Sequence, residues 1–162
     1  SQLFANYFFT SKEKELERKG VGIARFVTSY LEKDQFQQSQ QMDFMLNTAG
    51  AFLDARLSAV DKESLQQGDS SFRGPPELWL TADEAGRVLQ GEIVSKRGFD
   101  RFHGLAMLSV TVPVKVNNEV VGALVISAPI SDMIATVNAV RLLILYAAVE
   151  PDERRYQRNG KG

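Results

Sequence analysis

Phe9, Leu16, Ile23 and Tyr30 recur every seven residues, and Gly20 and Val27 fall four after Leu16 and Ile23. Lys12, Glu13, Lys14, Glu17 and Arg18 are distributed around that apolar stripe, which predicts a helix from about Phe4 to Leu31. At ~1.5 Å per residue such a helix is some 40 Å long. The stripe can seat on its own domain. It can equally seat on the same helix of a second copy, because seven residues is the period of a two-helix seam. Leu16, Ile23, Val27 and Tyr30 are the candidate residues for that dimer or signalling helix.

Gln35 to Gln41 is glutamine-rich and reads as an exposed helical turn or connector. Met42 to Leu53 resumes helical spacing with Phe44, Met45, Ala49, Phe52 and Leu53, although Gly50 weakens its last turn. In Ala55 to Val60, Leu57 and Ala59 alternate with Arg56 and Ser58, the period of a strand that ends at Asp61. Gln66 to Pro76, with Gly68, Gly74 and Pro75-Pro76, reads as a loop. Thr81-Ala82-Asp83-Glu84 has the spacing of a capping box and predicts a helix to about Gln90, with Ala85, Val88 and Leu89 inward.

The clearest alternation follows. Ala106, Leu108, Val110, Val112, Val114 and Val116 share one parity, and Asn117-Asn118 suit a two-residue hairpin turn. With Glu119 to Ala128 returning, the simplest register pairs Val114 with Val121, Val112 with Ala123 and Val110 with Val125. The opposite face then receives Met107, Ser109, Thr111, Pro113, Gly122, Leu124 and Ile126. Both faces are mostly apolar, so both should be covered. The hydroxyl-bearing face suits a binding pocket, with Ser109, Thr111 and Leu124 lining it. After Pro129, Ser131 can cap a last helix in which Ile134, Val137, Val140, Leu143 and Ile144 continue the apolar stripe.

Composition sharpens this picture in three ways. The chain has 162 residues, enough for one self-sufficient core, and 19 basic against 20 acidic residues argue against nucleic acid as a partner. Charge is unevenly spread: from Gly104 to Val149 only Lys115, Glu119, Asp132 and Arg141 are charged. Leu142 to Val149 carries no charge at all, no stretch reaches the roughly 18 to 20 apolar residues of a membrane span, and the polar tail 150–162 is expected to be disordered or foreign to the fold. Residues 1–149 then form a single domain, with 1–33 as its N-terminal helix and 131–149 as its exit helix. Finally, there is no Cys and a single histidine, His103, so no Cys- or His-rich metal site and no thiol nucleophile can be built within one chain.

No catalytic motif emerges. Gly20-Val21-Gly22 lies in a helix pattern without the preceding strand of a phosphate-binding loop, and no nucleophile elbow occurs. The chain itself reads as non-enzymatic, without a cofactor or metal. Lys96, Arg97 and Arg101 with His103 form the main basic cluster, able to line a solvated rim or to hold an anionic ligand. Arg97, Arg101 and His103 thus join Ser109, Thr111 and Leu124 as candidate ligand residues.

Two stretches resemble a known family. Phe4-Ala5-Asn6-Tyr7-Phe8, with Lys12-Glu13-Lys14-Glu15-Leu16 and Gly20-Val21-Gly22-Ile23-Ala24, resembles the segment just outside the first membrane span of bacterial sensor histidine kinases. Ser109-Val110-Thr111-Val112-Pro113-Val114, then Asn117 to Ile126, then Ala128-Pro129-Ile130-Ser131-Asp132-Met133, resembles the last hairpin and exit helix of their extracytoplasmic Cache-type, PAS-like sensor domains. The resemblance implies an α+β fold: a long N-terminal helix, a central antiparallel sheet of about five strands with helices on one face, and a C-terminal exit helix. Ile93 to Arg97 and Leu78 to Leu80 would supply the additional strands. The resemblance implies a fold and not a ligand: a stimulus-sensing domain outside the cell membrane, connected to flanking spans, with the uncharged run Leu142 to Val149 as the start of the second. A small, anionic ligand is the expectation from the basic cluster, and a homodimer through the first helix is the expectation from its seven-residue stripe. The phospho-acceptor and ATP-binding boxes are missing here, so kinase activity would belong to the parent protein. A chemoreceptor or a cyclic-dinucleotide enzyme shares the architecture, and a cytoplasmic PAS-like interaction domain is the alternative without a membrane.

Overall fold

The computed structural model describes residues 2–31, 39–68, 78–130 and 138–149. Helix α1 spans Gln2–Val27, and a 3-10 turn follows at Thr28–Tyr30. The expected helix to Leu31 stops early because Thr28 and Ser29 donate their hydroxyls to the carbonyls of Arg25 and Phe26, competing with helix continuation. Helix α2, Gln40–Leu53, begins at Ser39, whose side chain accepts from the Met42 amide. Its Gly50 is a structural requirement and not a weakness. Asp54 turns left-handed, and a Cβ at Gly50 would lie 2.5 Å from the Ala55 carbonyl oxygen.

Strand β1, Arg56–Asp61, leads directly into a short helix α3, Lys62–Gln67, where a loop was expected from Gln66 onward. Asp61 caps α3 by accepting from the Ser64 amide, and Gly68 ends it in the left-handed region. Helix α4, Ala82–Leu89, carries the expected capping box, with Thr81 and Glu84 each accepting the other's backbone N–H. Then come β2, Val94–Asp100; β3, Leu105–Val116; and β4, Glu119–Pro129. Leu78–Leu80 is not a strand, so the sheet has four strands among the described residues, all antiparallel in the order β1-β4-β3-β2. Residues 138–149 form a last helix, α5. The proposed cap at Ser131, with Ile134 and Val137, lies outside the described residues, as do most of the glutamine-rich connector and the polar tail.

One hydrophobic cluster joins Leu16, Ala24 and Val27 of α1 and Met42, Leu46 and Leu53 of α2 to Leu108, Val110, Val112, Val114, Leu124 and Ile126 of the sheet. A smaller cluster on the other face joins Leu65 of α3 and Val88 of α4 to Val60, Val94 and Ala123. The apolar hairpin is thus covered on both sides, with helices packed on both faces of the sheet and not on one alone. Leu16 and Val27 are fully buried against the sheet. Each contributes ~1.5–3 kcal/mol of apolar burial.

Candidate functional site

The hairpin turn is where expected, with Asn117 and Asn118 at φ of 51° and 65°. Val116 pairs with Glu119 and Lys115 with Val120, but Val114 pairs with Gly122. This bulge leaves Val121 out of the ladder and shifts the rest of β4 by one residue. A one-residue shift exchanges faces. Val110, Val112 and Val114 therefore share the α1-facing side with Ile126, Leu124 and Gly122, and not with Val125, Ala123 and Val121.

Residues opposite each other in an antiparallel ladder project to the same side. Away from α1, the registers place Arg56, Ser127, Ser109 and Lys96 in one row across all four strands. The adjacent row is Ser58, Val125, Thr111 and Val94. Ser109 and Thr111 are 3% and 1% exposed. Ser127, Ser58 and Lys96 are half-buried, and Arg56 is exposed. Each hydroxyl both donates and accepts, so four of them on one face can match a small polar molecule. Lys96 Nζ donates to Glu84 Oε1 at 2.7 Å and to the Trp79 carbonyl at 2.8 Å, tying β2 to the start of α4. Burial alone would raise the Glu84 carboxyl, but the hydrogen bonds from Lys96 and Thr81 hold it below the usual carboxylate range.

The six residues expected around one pocket fall in three places. Ser109 and Thr111 lie on the hydroxyl face. Leu124 sits on the opposite face, fully buried in the α1-side cluster, because of the bulge. Arg97 also belongs to the α1 side: its guanidinium carbon lies 5.3 Å from the centre of the Phe9 ring, and Nη2 is 3.9 Å from Glu13 Oε2. Arg101 and His103 lie in the exposed turn between β2 and β3.

That turn is organised by Asp100, which is buried. Its Oδ1 accepts from the amides of Phe102 and His103 at 3.0 and 3.2 Å, and its Oδ2 from His103 Nδ1 at 2.6 Å. Burial pushes the Asp100 carboxyl up, but these hydrogen bonds outweigh it and leave the group below its ordinary value. Sequence reading missed Ser58, Arg56 and Ser127. The inward parity of Leu57 and Ala59 already sends Ser58 and Arg56 outward, whereas Ser127 depends on the bulge.

A second candidate surface lies on the helical side. Ile23, Phe26 and Tyr30 of the first helical segment and Phe44, Met45 and Phe52 of α2 line an open groove of about 1230 Å³. Phe44 and Phe52 are 74% and 86% exposed. The seven-residue stripe is therefore split. Leu16 and Val27 face the sheet, while Ile23 and Tyr30 face the groove.

Neither a protein-family model nor a curated protein sequence matches the chain. A solved structure does share its fold. This is the ligand-binding domain of the Pseudomonas aeruginosa PAO1 amino acid chemoreceptor PctC, in complex with GABA. The TM-score is 0.56 at 13% identity, over 87% of this chain and 63% of that one. The chain thus spans less than two thirds of the domain it resembles, and the likeness at this identity concerns the fold. Among the described residues there is no group of three or more potential metal ligands, and no helix long and apolar enough to cross a membrane.

Proposed function

We propose that this chain is the extracytoplasmic ligand-binding domain of a membrane-bound receptor, holding a small polar molecule on the hydroxyl face of its sheet. The observation that carries the reading is the pair of buried hydroxyls, Ser109 and Thr111, on the side of the sheet away from α1. A fold shared with an amino acid chemoreceptor's ligand-binding domain supports it by analogy. The exposed cation Arg56 at one end of the row suits a ligand carboxylate. A ligand that prefers one arrangement of this sheet over another shifts the balance between them, and α1 on the far face reports the shift.

The likeness to a chemoreceptor domain favours a chemoreceptor-type parent. A histidine kinase is the second reading, supported by the hairpin and exit-helix motifs. The coding sequence downstream of residue 149 in the parent gene separates them. A homodimer formed across the α1–α2 groove, through Ile23 and Tyr30, belongs to the same proposal. Exposed aromatics concentrated in one groove are typical of an interaction site.

Thermal denaturation with amino acids, GABA and small carboxylates tests the reading. A ligand at a hundred times its dissociation constant adds ~2.7 kcal/mol of stability. Ser109→Val and Arg56→Ala should abolish that gain while keeping the fold. A ligand-induced shift that survives both changes would place the site elsewhere. No shift with any of these compounds would remove small polar molecules of this class as ligands.

A further inference from the structure

The direction of α1 along the sheet identifies one end of the domain. Glu17 accepts from Ser95, Glu13 lies beside Arg97, and Phe9 lies under the Arg97 guanidinium, so α1 runs antiparallel to β2. From Phe9 back to Leu3 is ~9 Å of helix. From Arg97 on to Asp100 is ~10 Å of strand. Leu3 therefore comes level with the β2–β3 turn. β4 leaves the sheet at the same end, since Met107 pairs with Pro129.

Four large apolar side chains are exposed at this end, beside the exposed Arg101 and His103. Leu3 and Tyr7 are 82% and 72% exposed, and Phe99 and Phe102 are 53% and 91% exposed. At the other end the β3–β4 turn exposes Lys115, Asn117, Asn118 and Glu119. The β2–β3 turn is also fixed in shape, because Asp100 fastens the amides of Phe102 and His103 and the His103 ring. A turn that commits a buried carboxylate to holding phenylalanine in water has no purpose within the domain's own core.

We propose that this turn rests on the lipid surface, with Phe102 at the level of the headgroups and Arg101 and His103 facing lipid phosphates. The proposal rests on the membrane placement of the reading above. Its chemistry is that of interfacial anchors, an aromatic body beside cationic groups, which anionic lipid strengthens. Leu3 and Tyr7, one helical turn apart, extend the same apolar rim. Contact at the turn and at the start of α1 would set the tilt of the sheet relative to the bilayer.

Co-sedimentation of the whole chain with vesicles of phosphatidylcholine and phosphatidylglycerol tests this. Phe102→Ser should weaken binding roughly tenfold, the effect of returning one phenyl ring to water. Arg101→Ser should weaken it on phosphatidylglycerol vesicles only, and Phe52→Ser, in the groove, should leave it unchanged. An indole introduced by Phe102→Trp should add a fluorescence component quenched by brominated lipid. Wild-type binding by Phe102→Ser, no quenching, or no vesicle binding by the unmodified chain would each overturn the proposal. Ligand-induced thermal shifts persist in Phe102→Ser if the sensor reading alone is correct, so the two fail separately.

Discussion

Gly20 of α1 lies directly against Ile126 of β4: a Cβ built at Gly20 would stand 2.7 Å from Ile126 Cδ1 and 2.9 Å from Val112 Cγ2. The missing side chain is what lets the helix approach the sheet this closely. Gly22, two residues on, is exposed, and a Cβ placed there would meet nothing within 4 Å. Both glycines cost the helix about 1 kcal/mol relative to alanine. At Gly22, alanine should return that amount and raise the melting midpoint by a few degrees. At Gly20, overpacking of ~1–3 kcal/mol against a stiff valine exceeds the gain, so Gly20→Ala should lower the midpoint. Equal stabilisation by both changes in thermal denaturation would show that α1 does not sit so close.

Asp100 makes a pH-dependent contribution whose sign can be stated. Its carboxyl is held below the ordinary 3.8 in the folded chain. A depressed carboxylate stabilises the fold fully above the unfolded value, and the stabilisation is lost as pH falls through the folded value. Asp100→Asn should therefore lower the melting midpoint at neutral pH. The gap from wild type should narrow as pH falls below 3.8. A gap that stays constant from neutral pH to well below that value would mean that the charge of Asp100 does not hold the turn.

Much of this architecture is legible in residue order. Period-3.6 and period-2 patterns give α1, α2, α4, β1 and the hairpin, because each buries one face that the pattern marks. Side-chain chemistry gives the Thr81–Glu84 cap and the Asn117-Asn118 turn. The candidate site is less legible, for a local reason. Nothing in Val120-Val121-Gly122 announces a bulge, since any of the three can be left unpaired, yet that choice decides whether Leu124 or Val125 stands beside Thr111. Arg97 shows the same limit. Its residue type fits an anion site, and only the antiparallel path of α1 gives it Glu13 and Phe9 as neighbours.

The split of the seven-residue stripe separates two roles that sequence could not. Leu16 is fully buried beneath the sheet, so Leu16→Ala should cost ~2–5 kcal/mol of stability and leave self-association unaltered in the folded fraction. Ile23 faces the groove and should behave in the opposite way. Ile23→Asp should raise the dissociation constant of a dimer at least about tenfold, equivalent to ~1.4 kcal/mol, with a smaller change in melting midpoint. Sedimentation velocity over a concentration series measures the first quantity. A wild-type chain that stays monomeric throughout, or an Ile23→Asp chain that associates as strongly, would rule out the groove as the contact between copies.

The β3–β4 turn tests how firmly the bulged register is held. Asn117 and Asn118 both have positive φ, the conformation of a turn that prefers asparagine followed by glycine. Asn118→Gly should stabilise the chain by a few tenths to ~1 kcal/mol. Asn118→Val should cost ~1–2 kcal/mol, because a β-branched residue is strained in the left-handed region. Sliding β4 one residue along β3 is the register change that could relieve strain at the turn. That slide would carry Leu124 and Ile126 out of the α1-side cluster, where both are fully buried, and would put Val125 and Ala123 in their place. Losing two such side chains from the core costs more than the strained turn, so the register should persist in Asn118→Val. Amide hydrogen exchange and cross-strand contacts in NMR spectra should still pair Val112 with Leu124. A shift to Val112 with Ala123 would show that the turn, and not the core, sets the register.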